Sequence, residues 1–152
     1  MARALNLTLP IKQDPETLKK LEHVKSVFAT EIQPKMDEAL RKSQIVHSAR
    51  VLVIDNKYLQ VITEYDGDPK EYTEFFRQAL PDVFTVLFSL AEGAPAFGDL
   101  DELSFFQLNQ GCDLSALGAS PQGFKDLHGQ DKGYLFSAYR DTTVKEILPK
   151  LK

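Results

Sequence analysis

Hydrophobic and polar residues alternate at the start of the chain. The apolar side chains stand at every second position and are Leu5, Leu7, Leu9 and Ile11. A period of two predicts a strand with one apolar face and one polar face. Asp14 and Pro15 then supply a capping acid and a first-turn proline, and apolar residues at steps of three and four predict a helix after them. Pro34 predicts a kink or break of this helix around residues 30–34.

A hairpin is predicted in the middle of the chain. Residues 45–54 are rich in β-branched side chains, residues 55–57 have the composition of a turn, and residues 58–65 form the second strand. Asp68 and Pro69 begin the next helix, again as a capping acid followed by proline, and a further apolar helix comes after it. The middle of the chain therefore adds two strands and a helical region to the first strand and helix.

The pattern weakens between Glu92 and Lys132, where Gly, Pro, Ser and Asp dominate and one helix is predicted at residues 100–108. Loops of this length are uncommon inside a domain and are often functional. We therefore expect this segment to be a cover over one end of the sheet. Its apolar anchors would be Phe97, Leu103, Phe105 and Phe106.

Residues 133–139 predict a last strand, and Thr142 or Thr143 caps a closing helix. The order is then β-α-β-β-α-β, with an insertion at residues 92–132 before the last strand and a C-terminal helix. This order predicts an α+β fold, a single ferredoxin-like domain over residues 1–152 whose antiparallel sheet has helices on one face only. The uncovered face needs a partner, and a second copy of the chain is the usual solution.

Alternation along the hairpin sorts its side chains onto two faces. A three-residue turn would pair Ser48 with Glu64 and Arg50 with Ile62, so that Arg50 lies diagonal to Glu64 on the helix-free face. The ligand-binding candidates on this face are Asn6, Ser48, Arg50, Gln60 and Glu64. Arginine suits bidentate recognition of a carboxylate, and it equally suits a structural ion pair. The face is therefore either a polar part of a dimer interface or a ligand-binding cleft with Arg50 as its anion anchor.

His47 is the candidate for catalysis, because a neutral imidazole can act as a base or as an axial ligand. It precedes Arg50 by three residues, so the two side chains point to opposite faces unless a β-bulge shifts the register. We expect His47 beneath the helices, where a lone histidine is more often a packed core residue. The spacing of the histidines, the cysteine and the carboxylates predicts no metal site, and Cys112 is expected to be a free thiol.

Two short motifs stand in the hairpin, His47-Ser48-Ala49-Arg50 on its first strand and Tyr65-Asp66-Gly67 at the end of its second. They resemble the hairpin of a group of dimeric α+β-barrel proteins with a His-x-Ala-Arg strand and a Tyr-Asp-Gly strand end. The broader superfamily, to which the domain is similar, includes dye-decolourising haem peroxidases, chlorite dismutases and small cofactor-free monooxygenases. The resemblance implies a dimeric α+β barrel. The chain lacks the Gly-x-x-Asp-Gly motif of the peroxidases and the second half that holds their haem.

Composition and charge narrow the classes of function. The chain has 152 residues, a net charge of −4 and 26% charged residues, as in an ordinary globular protein. Basic residues are interleaved with acids, a pattern that argues against nucleic-acid binding. Apolar runs stay shorter than the roughly 18 residues that cross a membrane. The single cysteine fits a reducing compartment, so we expect a cytoplasmic protein without membrane or nucleic-acid partners.

These observations predict a small soluble homodimer that binds an apolar or carboxylate-bearing small molecule between the sheet and the cover, and that needs no cofactor. Two alternatives stay open. One is an enzyme, either a haem-assisted peroxidase relative or a cofactor-free oxygenase acting on an aromatic substrate. The other is a dimerisation module without a ligand.

Overall fold

The alternating N-terminal segment and the central hairpin form one antiparallel sheet. The structure, a computed structural model, describes residues 2–139 and 141–151. Within these residues the sheet has three strands, β1 (Ala2–Pro10), β2 (Val46–Ile54) and β3 (Tyr58–Asp66), in the order β1-β3-β2. The fold is therefore α+β, as predicted.

The first helical region is interrupted where Pro34 predicts it. Helix α1 (Pro15–Val27) begins at Asp14, whose carboxylate accepts a hydrogen bond of 2.9 Å from the Thr17 amide. A π-helical turn (Phe28–Ile32) separates it from α2 (Gln33–Ser43), which has Pro34 in its first turn. Proline has no amide hydrogen to donate, so regular α-helical bonding cannot run through this position.

Three of the later helices, α3, α5 and α6, also begin at capping residues. The later helical elements are α3 (Pro69–Ala79), α4 (Pro81–Leu90), a 3-10 turn (Phe97–Asp99), α5 (Glu102–Cys112), α6 (Val144–Ile147) and a final 3-10 turn (Leu148–Leu151). Asp68 caps α3 and Thr143 caps α6, as predicted, and Asp101 caps α5 in a capping box with Ser104.

The core lies between the helices and one face of the sheet. This face carries the alternating leucines of β1 and the matching residues of β3, among them Leu59, Val61 and Tyr65. A cluster of aromatic rings extends the core beyond the sheet, with centroids 5.1–6.1 Å apart, and consists of Phe84, Phe88, Phe97 and Phe105. Such rings gain from edge-to-face contacts in addition to burial.

The predicted register of the hairpin is confirmed, with a correction at its start. Ser48 lies opposite Glu64 and Arg50 opposite Ile62. A β-bulge between Val46 and Ser48 shifts the pattern, so that Val46, opposite Tyr65, takes the buried place. The expectation that His47 lies beneath the helices stays a prediction, since the bulge interrupts the alternation on which it was based; the side chain is 15% exposed and contacts Asp66.

The predicted last strand at residues 133–139 is wrong, because these residues are irregular. With β3 in the middle of the sheet, a further strand could pair only at the outer edge of β1 or β2. Residues that follow α5 occupy part of the β1 edge: Leu7 bridges Asp113, and the Leu114 amide donates to the Asn6 carbonyl at 3.0 Å. The ferredoxin-like order is thus reproduced only up to its third strand.

The predicted cover segment divides into two parts. Phe97 and Phe105 are buried in the core, as predicted, and α5 packs against α3 and β1. Leu103 is wrong as an anchor because it lies 55% exposed in the first turn of α5, and Phe106 is half-buried. The residues of the segment that follow residue 112 form its second part, which lies outside the packing of α5 against α3 and β1.

Truncation on α5 tests which of its predicted anchors belongs to the core. We expect Phe105→Ala to lower the free energy of unfolding by about 3–5 kcal/mol, because Phe105 is 1% exposed and its loss leaves a cavity. Leu103→Ala on the same helix is the control and should cost less than about 1 kcal/mol. Urea denaturation measures both, and equal losses would contradict the assignment of Phe105, and not Leu103, to the core.

Candidate ligand-binding cavity at the edge of strand β1

A cavity of about 140 Å³ opens where the outer edge of β1 meets the residues that follow α5. Its floor is the first half of β1 with Tyr65 of β3 and Tyr72 of α3. The second half of α5 forms one side, and residues 116–137 contribute the opposite side. The cavity therefore lies between the sheet and the second part of the cover segment.

Two stacked tyrosines form the polar end of the floor. The rings of Tyr65 and Tyr72 lie 4.0 Å apart, and the Tyr72 hydroxyl is hydrogen-bonded to Thr63 at 2.8 Å. The Tyr65 hydroxyl has no hydrogen-bond partner among the described residues. Because every buried side-chain polar atom of these residues has a partner, the Tyr65 hydroxyl is not fully buried, and it opens onto the cavity that Tyr65 lines. Burial raises the pKa of Tyr65 above its ordinary value. At neutral pH this hydroxyl is protonated and can donate a hydrogen bond.

Arg3 places a positive charge beside this hydroxyl. It lies directly opposite Tyr65 in the β1–β3 register, and its guanidinium carbon is 3.8 Å from the centre of the Phe124 ring. Its charge lowers the pKa of Tyr65 by less than burial raises it. Arg3 forms no ion pair with any residue that the structure describes. A half-buried cation next to a neutral donor is suited to binding an anion.

Asp113 fastens the cover to the strand. One carboxylate oxygen accepts the Asn6 amide at 2.8 Å, and the other forms an ion pair with Lys132. The Asn6 side chain in turn donates to the Leu114 carbonyl at 2.9 Å. The side chains of Asp113 and Lys132 are only 13% and 18% exposed. Since Lys132 compensates the charge of Asp113, the charge of Arg3 remains for a ligand.

The outer wall is a loop with its own hydrogen bonds. The Ala116 amide donates to the Lys132 carbonyl at 2.9 Å, and the Tyr134 amide donates to the Leu117 carbonyl at 3.0 Å. Gly133 has a φ of +93°, and a Cβ atom there would lie 2.2 Å from the Ala116 carbonyl oxygen. Glycine is therefore required where the two sides of the loop meet.

The predicted ligand-binding residues lie in two places. Asn6 lines the cavity, whereas Ser48, Arg50, Gln60 and Glu64 are on the helix-free face of the sheet. The Ser48 hydroxyl donates to the Glu64 carboxylate. Arg50 is exposed and forms no ion pair with a described residue. A role for these four residues in ligand binding stays a prediction.

His47 lies outside the cavity and contacts Asp66. Its Nε2 lies 2.8 Å from a carboxylate oxygen of Asp66, and the other oxygen of Asp66 accepts the Val144 amide at 2.8 Å. This arrangement anchors α6 to the end of β3. Cys112 is a half-buried free thiol, and burial raises its pKa, which keeps it protonated.

Haem does not fit these residues. The Nε2 of His47 is engaged with Asp66, and His47 does not line the cavity. A cavity of about 140 Å³ is also well below the roughly 300–1,000 Å³ of sites for larger ligands. Haem therefore has no part in the function proposed below.

Arg3 and Tyr65 are the site residues that sequence reasoning missed. A signal was present for Arg3, because it stands in phase with Leu5, Leu7 and Leu9 on the apolar side of β1. A charged residue in phase with core positions has either a partner or a function. The position of Phe124 over Arg3 depends on the loop and had no signal in the sequence.

Neutralising Asp113 tests the fastening of the cover. We expect Asp113→Asn to lower the free energy of unfolding by about 3 kcal/mol, because the Lys132 ammonium stays largely buried without its counter-charge. Hydrogen exchange should accelerate at the amides of Leu114, Ala116 and Tyr134 and not in the β2–β3 hairpin. The control is Glu38→Gln, which removes the exposed pair with Lys42 and should change little. Unchanged exchange in the loop would contradict the fastening.

Comparison with known proteins yields no match among family models, curated proteins or solved structures. The resemblance to dimeric α+β-barrel proteins therefore stays a prediction. No helix in the described ranges is long and apolar enough to cross a membrane. The geometry of the cavity is accordingly the basis for the function considered next.

Proposed function

We propose that the protein binds a small molecule with a single carboxylate in the cavity beside Arg3. The observation that carries the proposal is the juxtaposition of the Arg3 guanidinium and the Tyr65 hydroxyl in a cavity lined in part by aromatic rings, where neither group has an ion-pair or hydrogen-bond partner among the described residues. The sequence also predicts a carboxylate-bearing ligand between the sheet and the cover, and of its predicted ligand-binding residues Asn6 lines this cavity.

The charges favour a monoanion. The charged residues that line the cavity are Arg3, Asp113, Lys125, Asp126 and Lys132, and their net charge is +1. Lys132 compensates Asp113, and Tyr65 is neutral. A guanidinium binds a carboxylate through two parallel hydrogen bonds, and the Tyr65 hydroxyl can add a third. Hydrogen bonds to charged groups contribute about 1.5–3 kcal/mol each. A dianion such as a phosphate monoester would leave one charge without a counter-charge.

Substitution of two arginines separates the cavity from the helix-free face. We expect Arg3→Gln to weaken the binding of sodium benzoate and sodium butyrate by about tenfold or more, because the charge-assisted bonds are lost. Arg50→Gln should leave the affinity unchanged. Titration calorimetry measures both, and circular dichroism confirms that the variants are folded. Loss of binding with Arg50→Gln alone would place the site on the helix-free face.

We also propose that two copies associate through the helix-free face of the sheet, as ferredoxin-like domains do in a dimeric α+β barrel. This face includes Ile54 and Tyr58, which are 43% and 45% exposed, together with the exposed Arg50. Arg50 and Glu64 have opposite charges on one face. A two-fold axis between them would bring each Arg50 to the partner's Glu64.

Charge reversal tests this association. Light scattering should give the mass of a dimer at micromolar concentration for the unmodified protein. Arg50→Glu should shift the population to the monomer, since like charges then face each other across the axis. Adding Glu64→Arg should restore the dimer. A stable monomer of the unmodified protein would refute the association and leave the cavity unaffected.

A further inference from the structure

We infer that the ligand of the cavity is a carboxylate attached to a single aromatic ring, a molecule of the benzoate class. The inference rests on the carboxylate-binding function proposed above and specifies the part of the ligand that Arg3 does not contact.

Arg3 determines the direction from which the ligand enters. Its guanidinium carbon lies over the Phe124 ring, 3.8 Å from the ring centre. The N–H groups of a guanidinium point outward in its own plane, so a carboxylate can reach them only from the edge. The remainder of the ligand then extends away from Arg3 into the cavity.

Aromatic rings from several elements line this cavity. Besides Phe124 they are the stacked pair of Tyr65 and Tyr72, the half-buried Phe106, and Tyr134 of the loop. Lys70 lies over the Phe106 ring, with its Nζ 5.6 Å from the ring centre. Aromatic rings prefer offset-stacked or edge-to-face partners, which an aliphatic ring of equal size cannot provide. The walls therefore favour an aromatic ligand over an aliphatic one.

The volume limits the ligand to one ring. The cavity measures about 140 Å³. An apolar cavity of roughly 150 Å³ in a protein holds one benzene molecule. A single ring fits this space, whereas a fused pair of rings would have to displace the loop that Asp113 and Gly133 hold in place.

A series of ligands tests the inference on the full-length protein. Calorimetric titrations compare sodium benzoate with cyclohexanecarboxylate, which has the same charge and ring size without aromaticity, and with 1-naphthoate, which adds a second ring. We expect both analogues to bind about tenfold more weakly than benzoate. Benzamide, which lacks the charge, should not bind measurably.

Two variants assign the effects to residues. Phe106→Leu should weaken benzoate and leave cyclohexanecarboxylate nearly unchanged, because leucine keeps the wall apolar and removes its ring. Arg3→Lys should weaken all carboxylates alike, since lysine keeps the charge without the paired donors. It also replaces Arg3→Gln if that variant does not fold.

The outcomes separate the two proposals. If benzoate and cyclohexanecarboxylate bind equally, or if 1-naphthoate binds as tightly as benzoate, the inference about the single aromatic ring is overturned and carboxylate binding stands. If none of the carboxylates binds, the proposed function is overturned as well. Selective binding of benzoate that depends on Phe106 supports both.

Discussion

The contact of Asp113 with the outer edge of β1 is the constraint on which the rest of this structure depends. The Asp113 carboxylate accepts a hydrogen bond from the Asn6 amide and forms an ion pair with Lys132. It therefore joins an open strand edge to a loop residue that follows Asp113 by nineteen positions. An open edge would otherwise present unpaired amides and carbonyls. By occupying this edge, residues 113 and 114 exclude a fourth strand at that point and create the wall of a cavity.

Arg3 acquires its environment from the same contact. On an isolated strand edge its guanidinium would be hydrated, and a carboxylate bound there would gain little. The loop held by Asp113 places the Phe124 ring 3.8 Å from the guanidinium carbon of Arg3 and partly shields this group from water. Electrostatic interactions strengthen as water is excluded, which supports the proposed role of Arg3 in anion binding.

Much of the fold could be predicted because it depends on local rules. Asp14 and Asp68 mark helix starts through hydrogen bonds with their near neighbours, and Pro34 marks one because it has no amide hydrogen to donate. The turn at residues 55–57 determines the hairpin register. The fourth strand could not be excluded in this way. Residues 133–139 have a strand pattern, but whether they pair depends on the edge that residues 113 and 114 already occupy.

The site was harder to predict than the fold because it, too, depends on residues that are distant in the chain. The polar face of the hairpin follows from alternation, and it led to Ser48, Arg50, Gln60 and Glu64. The cavity instead joins residues from opposite ends of the chain, such as Arg3 and Phe124, through a loop without periodicity. The strand pattern likewise does not indicate the bulge between Val46 and Ser48 or the contact of His47 with Asp66.

The location of the bound ligand is the central claim, and nuclear Overhauser effects between benzoate and the isotope-labelled protein test it most directly. We predict contacts from the ring protons of benzoate to the side chains of Tyr65, Phe106 and Phe124. Contacts to Ile62 and Leu52 on the helix-free face, without any to the cavity, would contradict the account.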